Sequence, residues 1–520
     1  MRVLIFHGYL LHGTGSNVYN ANLAESLARA GHEVHLFCQD RDALDLDWVD
    51  GSGNWDSGGL EVVTRRQPAR ATVYRPPIGR ILPVYVADSY EGFDAKPFPE
   101  LSDAELDAYL AANVAAVHDI ARRLRPDVAL ANHLVMGPLV LARALAPLGV
   151  PYAVKIHGSA LEYTVKPHPR FMPHAREGLA GARAVLVGSR HTAESLWSAM
   201  GDPDLESRTR LGPPGVDIAA FAPRDPVRAA EGVASLLERL RADADAVAAA
   251  SAEGAGAGAA SSFSRDFSLA AGALERLDCD ADRPVVFVGK LIGSKGVELL
   301  VAAWPLVLAR VPSARLVVVG FGGFREGLEA LVAALASGDL DRAEATRSET
   351  GAPLPSLSAF LASLGPGETD AYREAARALP DRVLWVGRLD HGELHDLLPA
   401  MEAMVVPSTF PEAFGMVAAE AAACGALPVV AGHSGLAEVA RTLAAAVPEP
   451  ARPLLSFEVG PEAVRQIGRA VSDWLLASDE LRAATRDALV QIARERYSWD
   501  GVAQTVLAAG RGELADLPCP

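Results

Sequence analysis

Short apolar runs bounded by turn residues alternate with helix-period segments in two separate blocks of this chain. That alternation predicts parallel sheets covered by helices on both faces. In the first block the runs are Val3 to Phe6, Val34 to Phe37, Val128 to Ala131, Tyr152 to Ile156 and Ala184 to Val187, with a helix from Val18 to Ala30 after the glycine-bearing loop Gly13-Thr14-Gly15-Ser16-Asn17. In the second they are Val285 to Val288, Ala314 to Val319, Val383 to Val386, Ala403 to Val406 and Pro428 to Ala431. A chain of 520 residues is too long for one ordinary core, and with half of its residues hydrophobic it can bury two large ones. The expected fold class is therefore α/β, with one doubly wound sheet in 1–223 and another in 283–494.

The stretch 224–282 holds Gly/Ala/Ser-rich runs such as Gly254-Ala255-Gly256-Ala257-Gly258, which bury too little apolar surface to order themselves. It is expected to be an insertion or linker with a flexible middle and a helix over Ala229 to Ala250. A second polar excursion, Gly338 to Asp381, is expected to be a surface insertion. The net charge of −17 opposes the basic footprint of a nucleic-acid binder. Cys38, Cys279, Cys424 and Cys519 lack paired spacing, which points to reduced thiols and no metal framework. No run of about 18 apolar residues occurs, so a cytoplasmic protein is expected, with a peripheral position at the inner face of the membrane left open.

Chemistry concentrates at the expected carboxyl ends of strands, where open α/β sheets bind ligands. Glu412 and Glu420 stand eight positions apart in the small-residue segment from Pro411 to Gly425, in which a helix is expected with Glu412 just before or in its first turn. The spacing puts the carboxylates roughly 12 Å apart along the axis. The amides of Ala413 to Met416 would lie between them, a site for a diphosphate with hydroxyls at either side. Two solvated glutamates on an exposed face are the alternative. Strand Val285 to Val288 runs into Gly289-Lys290-Leu291-Ile292-Gly293-Ser294-Lys295-Gly296, whose two ammonium groups would neutralise a departing diphosphate, or form an ordinary solvated turn. The order of a P-loop is absent, and Val18 stands where a dinucleotide fingerprint needs its third glycine. Ser16 and Asn17 would offer hydrogen bonds in that loop or merely cap its helix. His157 follows a strand end, and a lone histidine is more often structural. His, Cys and carboxylate residues form no metal-binding pattern.

Taken together, these segments resemble the family 4 retaining glycosyltransferases, whose GT-B architecture has two Rossmann-like, doubly wound parallel-sheet domains facing across a cleft. The likeness rests on Gly13 to Tyr19, His157-Gly158-Ser159, Pro214-Gly215-Val216-Asp217 with Phe221, Gly289-Lys290 with Lys295-Gly296, Val386-Gly387-Arg388-Leu389, the Glu412-x7-Glu420 segment, and Gly435 with Glu438. Tyr497-Ser498-Trp499-Asp500 looks like the start of a terminal helix, 495–520, that crosses back to the first domain.

The resemblance implies a nucleotide-diphosphate sugar as donor, held by Gly15, Gly289, Gly387, Arg388, Leu389, Phe414, Gly415, Met416, Val417 and Glu420, with Glu420 on the ribose. His157, Lys290, Lys295 and Glu412 would carry the chemistry. Lys290 stands where the family has arginine, which removes a bidentate phosphate contact. Ser16, Asn17, Arg80, Tyr85, Tyr90 and His133 would face the acceptor, a small molecule, glycan or lipid-linked hydroxyl compound. The run Arg65-Arg66, Arg70, Arg75 and Arg80 would suit an anionic acceptor or lipid surface, or be a solvated basic loop. No metal and no cofactor is expected, nor a nucleic-acid partner. Retention would follow a front-face displacement, since no carboxylate of the first block stands out as a nucleophile. A nucleotide-sugar epimerase, a sugar-phosphate synthase and a non-catalytic sugar-nucleotide binder share the donor residues and are the alternatives.

Overall fold

The computed structural model describes residues 1–12, 15–56, 59–85, 92–252 and 265–520. The chain forms two compact units, Met1–Gly215 with Tyr497–Pro520, and Val216–Arg496.

The first unit carries β1 (Arg2–Phe6), β2 (Glu33–Phe37), β3 (Gly51–Asp56), β4 (Gly59–Thr64), β5 (Ala71–Arg75), β6 (Ile81–Val84), β7 (Asp94–Pro97), β8 (Val128–Asn132), β9 (Tyr152–Ile156), β10 (Ala184–Val187) and β11 (Thr209–Leu211). Nine of these make one sheet in the order β11-β10-β9-β8-β1-β2-β5-β3-β4, parallel except for the β3–β4 hairpin. β6 and β7 pair separately. Both faces of the central strands are apolar because both are covered. Leu4 and Phe6 join one core, whereas Val3 and Ile5 join the other, beneath the helices Gly15–Arg29 and Trp499–Arg511. The terminal helix lies directly on the sheet, for a Cβ on Gly510 would come within 2.0 Å of Val128 Cγ2.

The second unit carries β12 (Arg283–Val288), β13 (Ala314–Val319), β14 (Val383–Gly387), β15 (Ala403–Val406), β16 (Leu427–Ala431) and β17 (Ser456–Phe457), all parallel, in the order β14-β13-β12-β15-β16-β17. The helices Val297–Arg310 and Ala463–Leu475 pack together, and Gly468 allows their close approach. Among the described residues no helix is long and apolar enough to cross a membrane.

Three expectations about organisation need correction. The first unit ends at Gly215 rather than at 223, because Phe221 is buried within the second unit, its ring centroid 5.1 Å from that of His391. The stretch 224–282 is not a free linker. Helix Pro226–Ala252 buries Leu236 and Leu240, and Arg224 and Arg239 clamp Asp396 at 2.9 and 2.6 Å. A second helix, Phe267–Leu274, follows, and the glycine-rich run between the two lies outside the described residues. The excursion 338–381 is helical, with Leu357, Phe360 and Tyr372 buried and the Tyr372 hydroxyl donating to the Ala302 carbonyl at 2.7 Å.

Candidate functional site

In the second unit the exits of β12, β15 and β16 bring three loops together. After β12 the chain turns through Gly293–Lys295 to Gly296, whose φ is +66°. A Cβ there would lie 2.0 Å from the Pro407 carbonyl oxygen, so only glycine lets this turn lie against the exit of β15. Lys295 Nζ thereby meets Glu412 Oε1, which also accepts from Ser408 Oγ at 2.7 Å. From the β16 exit, Ser434 Oγ accepts from the Glu412 backbone N–H at 2.9 Å, and the Gly435 N–H donates to the Glu412 carbonyl at 2.9 Å. His433 Nε2 lies 2.8 Å from the Ser408 carbonyl and must donate to it. Its Nδ1, 3.1 Å from Ser434 Oγ, then accepts the Ser434 proton. Glu412 is therefore held at both its backbone and its carboxylate.

The helix that follows is Met416–Ala423, so Glu412 stands outside it, four residues before its start. This corrects the expected position. The Glu412 N–H and carbonyl are committed to Ser434 and Gly435, and Gly415 is extended, with φ −174°, beneath Leu436, so no helical turn forms there. Phe414 precedes the helix, and the amides at its open end are those of Met416 and Val417. Glu420 is 2% exposed, which rules out the solvated-face alternative. Its Oε1 accepts from His391 Nε2 at 2.7 Å, while its buried Oε2 has no partner among the described residues. Burial lowers the His391 pKa, but Glu420 and then Asp217 raise it more, leaving it above the ordinary imidazole value.

Of the other expected donor-side residues, Lys290 is exposed beside Gly289, and Leu389 is buried. Arg388 follows Gly387 at the end of β14 and pairs with Asp390 at 3.0 Å. His391, Ser408, His433 and Ser434 escaped sequence reading. Only His391 left a signal, in the helix start Asp390-x-x-Glu393, where both halves of a capping box form. Glu298 was missed too. It is 3% exposed in the first turn of the helix Val297–Arg310, its Oε2 has no partner among the described residues, and burial pushes its pKa up to about 7.

In the first unit, adjacent parallel strands β1, β8 and β9 end side by side, each one residue beyond the last, and each is followed by a histidine: His7, His133 and His157. A buried relay joins two of them. His7 Nε2 donates to Asn17 Oδ1 at 2.8 Å and to the Leu10 carbonyl at 3.0 Å, and Asn20 Nδ2 donates to His7 Nδ1 at 3.0 Å. Asn20 Oδ1 accepts from Asn132 Nδ2 at 2.7 Å, and His157 Nε2 donates to Asn132 Oδ1 at 2.8 Å. Each acceptor fixes the tautomer of its histidine, so His157 offers Nδ1 as a lone pair. Burial pushes His7 down to about 4, and it holds His133 and His157 well below the ordinary imidazole range, helped by the neighbouring His7, His133 and Lys155. His133, with φ +67°, is 2% exposed; its ring lies 4.5 Å from that of Tyr85 and 4.9 Å from that of His157, and neither of its nitrogens has a partner among the described residues. His7 is the member that the sequence did not single out.

Several acceptor-side expectations change. Asn17 is 1% exposed, with Oδ1 on His7 and Nδ2 on the His12 carbonyl, so it positions the loop instead of reaching a ligand. Gly15 and Ser16 open the first helix, and the Ser16 carbonyl accepts from Asn20. The Tyr85 hydroxyl donates to the Val135 carbonyl. Tyr90, Gly13 and Thr14 lie outside the described residues. Arg80 is 81% exposed and pairs with Asp94 at 3.3 Å.

Comparison with known proteins accords with this arrangement. Residues 14–215 match a glycosyl transferase 4-like domain, and residues 364–452 match the glycosyl transferases group 1 domain. An uncharacterized glycosyltransferase of Methanocaldococcus jannaschii is 26% identical over 43% of this chain and 44% of its own length, so that match spans less than half of the relative. The D-inositol 3-phosphate glycosyltransferase of Actinosynnema mirum is 25% identical over 97% of this chain and 93% of its own. The crystal structure of HepE from Anabaena in complex with UDP and glucose superposes with a TM-score of 0.55 at 16% identity, covering 99% of this chain and 100% of that one. The chain thus carries two glycosyltransferase domains, at 14–215 and 364–452, and has the GT-B fold.

Proposed function

We propose that this enzyme transfers a sugar from a nucleotide-diphosphate donor to a hydroxyl acceptor with retention of the anomeric configuration. The observation that carries the reading is Glu420 Oε2, a buried carboxylate oxygen without a partner among the described residues, on the helix whose amino terminus adjoins the Lys295–Glu412 pair. Leaving such an oxygen unsatisfied costs about 1–3 kcal/mol, and the vicinal hydroxyls of a ribose would satisfy it. A diphosphate would lie on the Met416 and Val417 amides and the two lysines, with Glu412 taking hydroxyls of the sugar. HepE, of the same fold, binds UDP, which supports this assignment.

Bond breaking places negative charge on the diphosphate. Lys290, Lys295 and the helix terminus stabilise that charge without a metal or cofactor, and a front-face approach of the acceptor on the same side of the sugar gives retention. The test is thermal shift of the full-length protein with UDP, GDP and ADP sugars, followed by assay of nucleoside diphosphate release. A donor that raises Tm in the native protein and fails to do so in Glu420→Gln upholds the assignment; equal shifts in both proteins reject it.

A further inference from the structure

The three histidines at the carboxyl edge of the first unit are neutral, and three arginines of the run 65–80 lie at the opposite edge of the sheet. β5 is parallel to β1, so Arg70, immediately before β5, lies at the amino edge of the sheet, opposite the three histidines. Arg65 and Arg66 leave β4, which runs antiparallel to β3, at that same far edge. There Arg65 donates to the carbonyls of Leu44, Leu46 and Asp47 at 2.7–2.9 Å, Arg66 pairs with Asp50 at 2.6 Å, and Arg70 donates to the Gly31 carbonyl at 2.9 Å.

At the carboxyl edge, Arg75 donates to Asn54 Oδ1 at 2.8 Å and Arg80 pairs with Asp94. Lys166, in the segment after β9, is taken by Glu162 at 2.8 Å, and Arg170 donates to the carbonyls of Phe98 and Leu101. Lys155, within β9, is 2% exposed and donates to the Gly212 carbonyl, and burial drives its pKa down to about 7.

What this edge does offer is a set of single hydrogen-bonding positions. His157 presents Nδ1 as an acceptor because Asn132 holds its Nε2–H. His133 presents one N–H and one lone pair, both buried and unpartnered among the described residues, and a neutral imidazole in that state calls for a group that accepts and donates at once. A hydroxyl does both. A phosphate or carboxylate seated on His133 and His157 would lose its hydration against two neutral imidazoles, while the cations named above, and Arg41 on the Gly92 carbonyl, are already hydrogen-bonded among the described residues; the cost is well above that of an unpaired hydroxyl.

We infer that the acceptor at this edge is an uncharged polyhydroxy compound, a sugar or polyol without phosphate or carboxylate, read by His133 and His157. The inference rests on the glycosyltransferase reading above and names the substrate class that reading leaves open.

The test uses the full-length protein with 15N-labelled histidine and saturating UDP. Three matched pairs are titrated: myo-inositol with D-inositol 3-phosphate, glucose with glucose 6-phosphate, and mannose with mannose 6-phosphate. At least one neutral member is expected to move the His133 and His157 ring signals, its phosphorylated partner needing about tenfold or more concentration for the same shift. His133→Asn, which tolerates the left-handed backbone, is expected to lose the response while keeping its Tm. A phosphorylated member that binds more tightly in any pair overturns the inference, and so does failure of every neutral member to move His133. Failure of the donor reading shows separately, as absence of a Tm shift with any nucleotide sugar.

Discussion

At one and the same place in the two sheets, the carboxyl ends of their central strands, the first unit presents imidazoles and amides and the second presents ammonium and carboxylate groups. Parallel topology puts strand exits side by side in both and says nothing of what they carry. In the first unit the polar groups satisfy one another through neutral hydrogen bonds, His7 to Asn17 and Asn20, then Asn132 and His157. In the second, Lys295 pairs with Glu412 and the raised His391 imidazole donates to Glu420, around a helix terminus. Under the proposals above, one edge holds the leaving anion and the other a hydroxyl.

The sharpest way to break this comparison is to remove a charge from the second unit. Lys295→Ala and Glu412→Gln should each lower transfer by about 10²–10³-fold, the usual cost of deleting one group that stabilises transition-state charge, while Tm stays near that of the native protein. Near-native rates in both would remove the charged edge from the chemistry.

Opposite dependences on pH come next. Glu298 gives up its proton at about 7 when folded and near 4.5 when unfolded, so between those values unfolding releases a proton and stability falls as pH rises. Glu298→Gln should therefore stabilise the second unit by about 3 kcal/mol at pH 8 and by little at pH 4, measured by denaturant unfolding. His7 behaves in the reverse sense. The folded ring takes its proton only at about 4 and the unfolded one near 6.5, so unfolding binds a proton in that window and stability falls as pH drops. The first unit should lose about 3 kcal/mol from His7 between pH 6.5 and 4, and His7→Gln should flatten that slope. A flat native profile would break the neutral-edge description.

A smaller effect sharpens the account of how Glu412 is held. Ser434 has φ +52°, so Ser434→Gly relaxes the backbone while deleting the hydroxyl that accepts the Glu412 N–H. The net loss of stability should be at most about 1 kcal/mol, read by melting, with the loss of transfer appearing in kcat more than in KM. Smallest of all, Arg80→Ala should change Tm by less than the equivalent of about 1 kcal/mol, because its pair with Asp94 is exposed.

Much of this was legible in the residues. The two-face apolar pattern of Val3 to Phe6 or Val285 to Val288 admits only a strand buried on both sides, and the glycines at 289, 293 and 296 mark the turn that carries Lys295. A helix over 229–250 was legible, but its docking was not, since Asp396, which Arg224 and Arg239 hold, lies more than a hundred residues further along the chain. The start of the Glu412 segment misled for a similar reason. Pro411 and Gly425 are fair helix punctuation, but the 432–435 loop, reached only through β16, takes the backbone groups that the first turn would have used.

Local residue order thus determined the two α/β units, the strand exits that carry polar side chains, and the identities of Lys295, Glu412 and Glu420, because these depend on period, turn chemistry and charge within a few neighbouring positions. Tertiary structure alone decided that Glu420 is buried with an oxygen unpartnered among the described residues, that His7 joins His133 and His157, and that the arginine run is divided between opposite edges of its sheet. The reason is physical. Burial, tautomer and hydrogen-bond partner are properties of groups brought together across strands and loops, and the chain encodes them only once those strands have found their order.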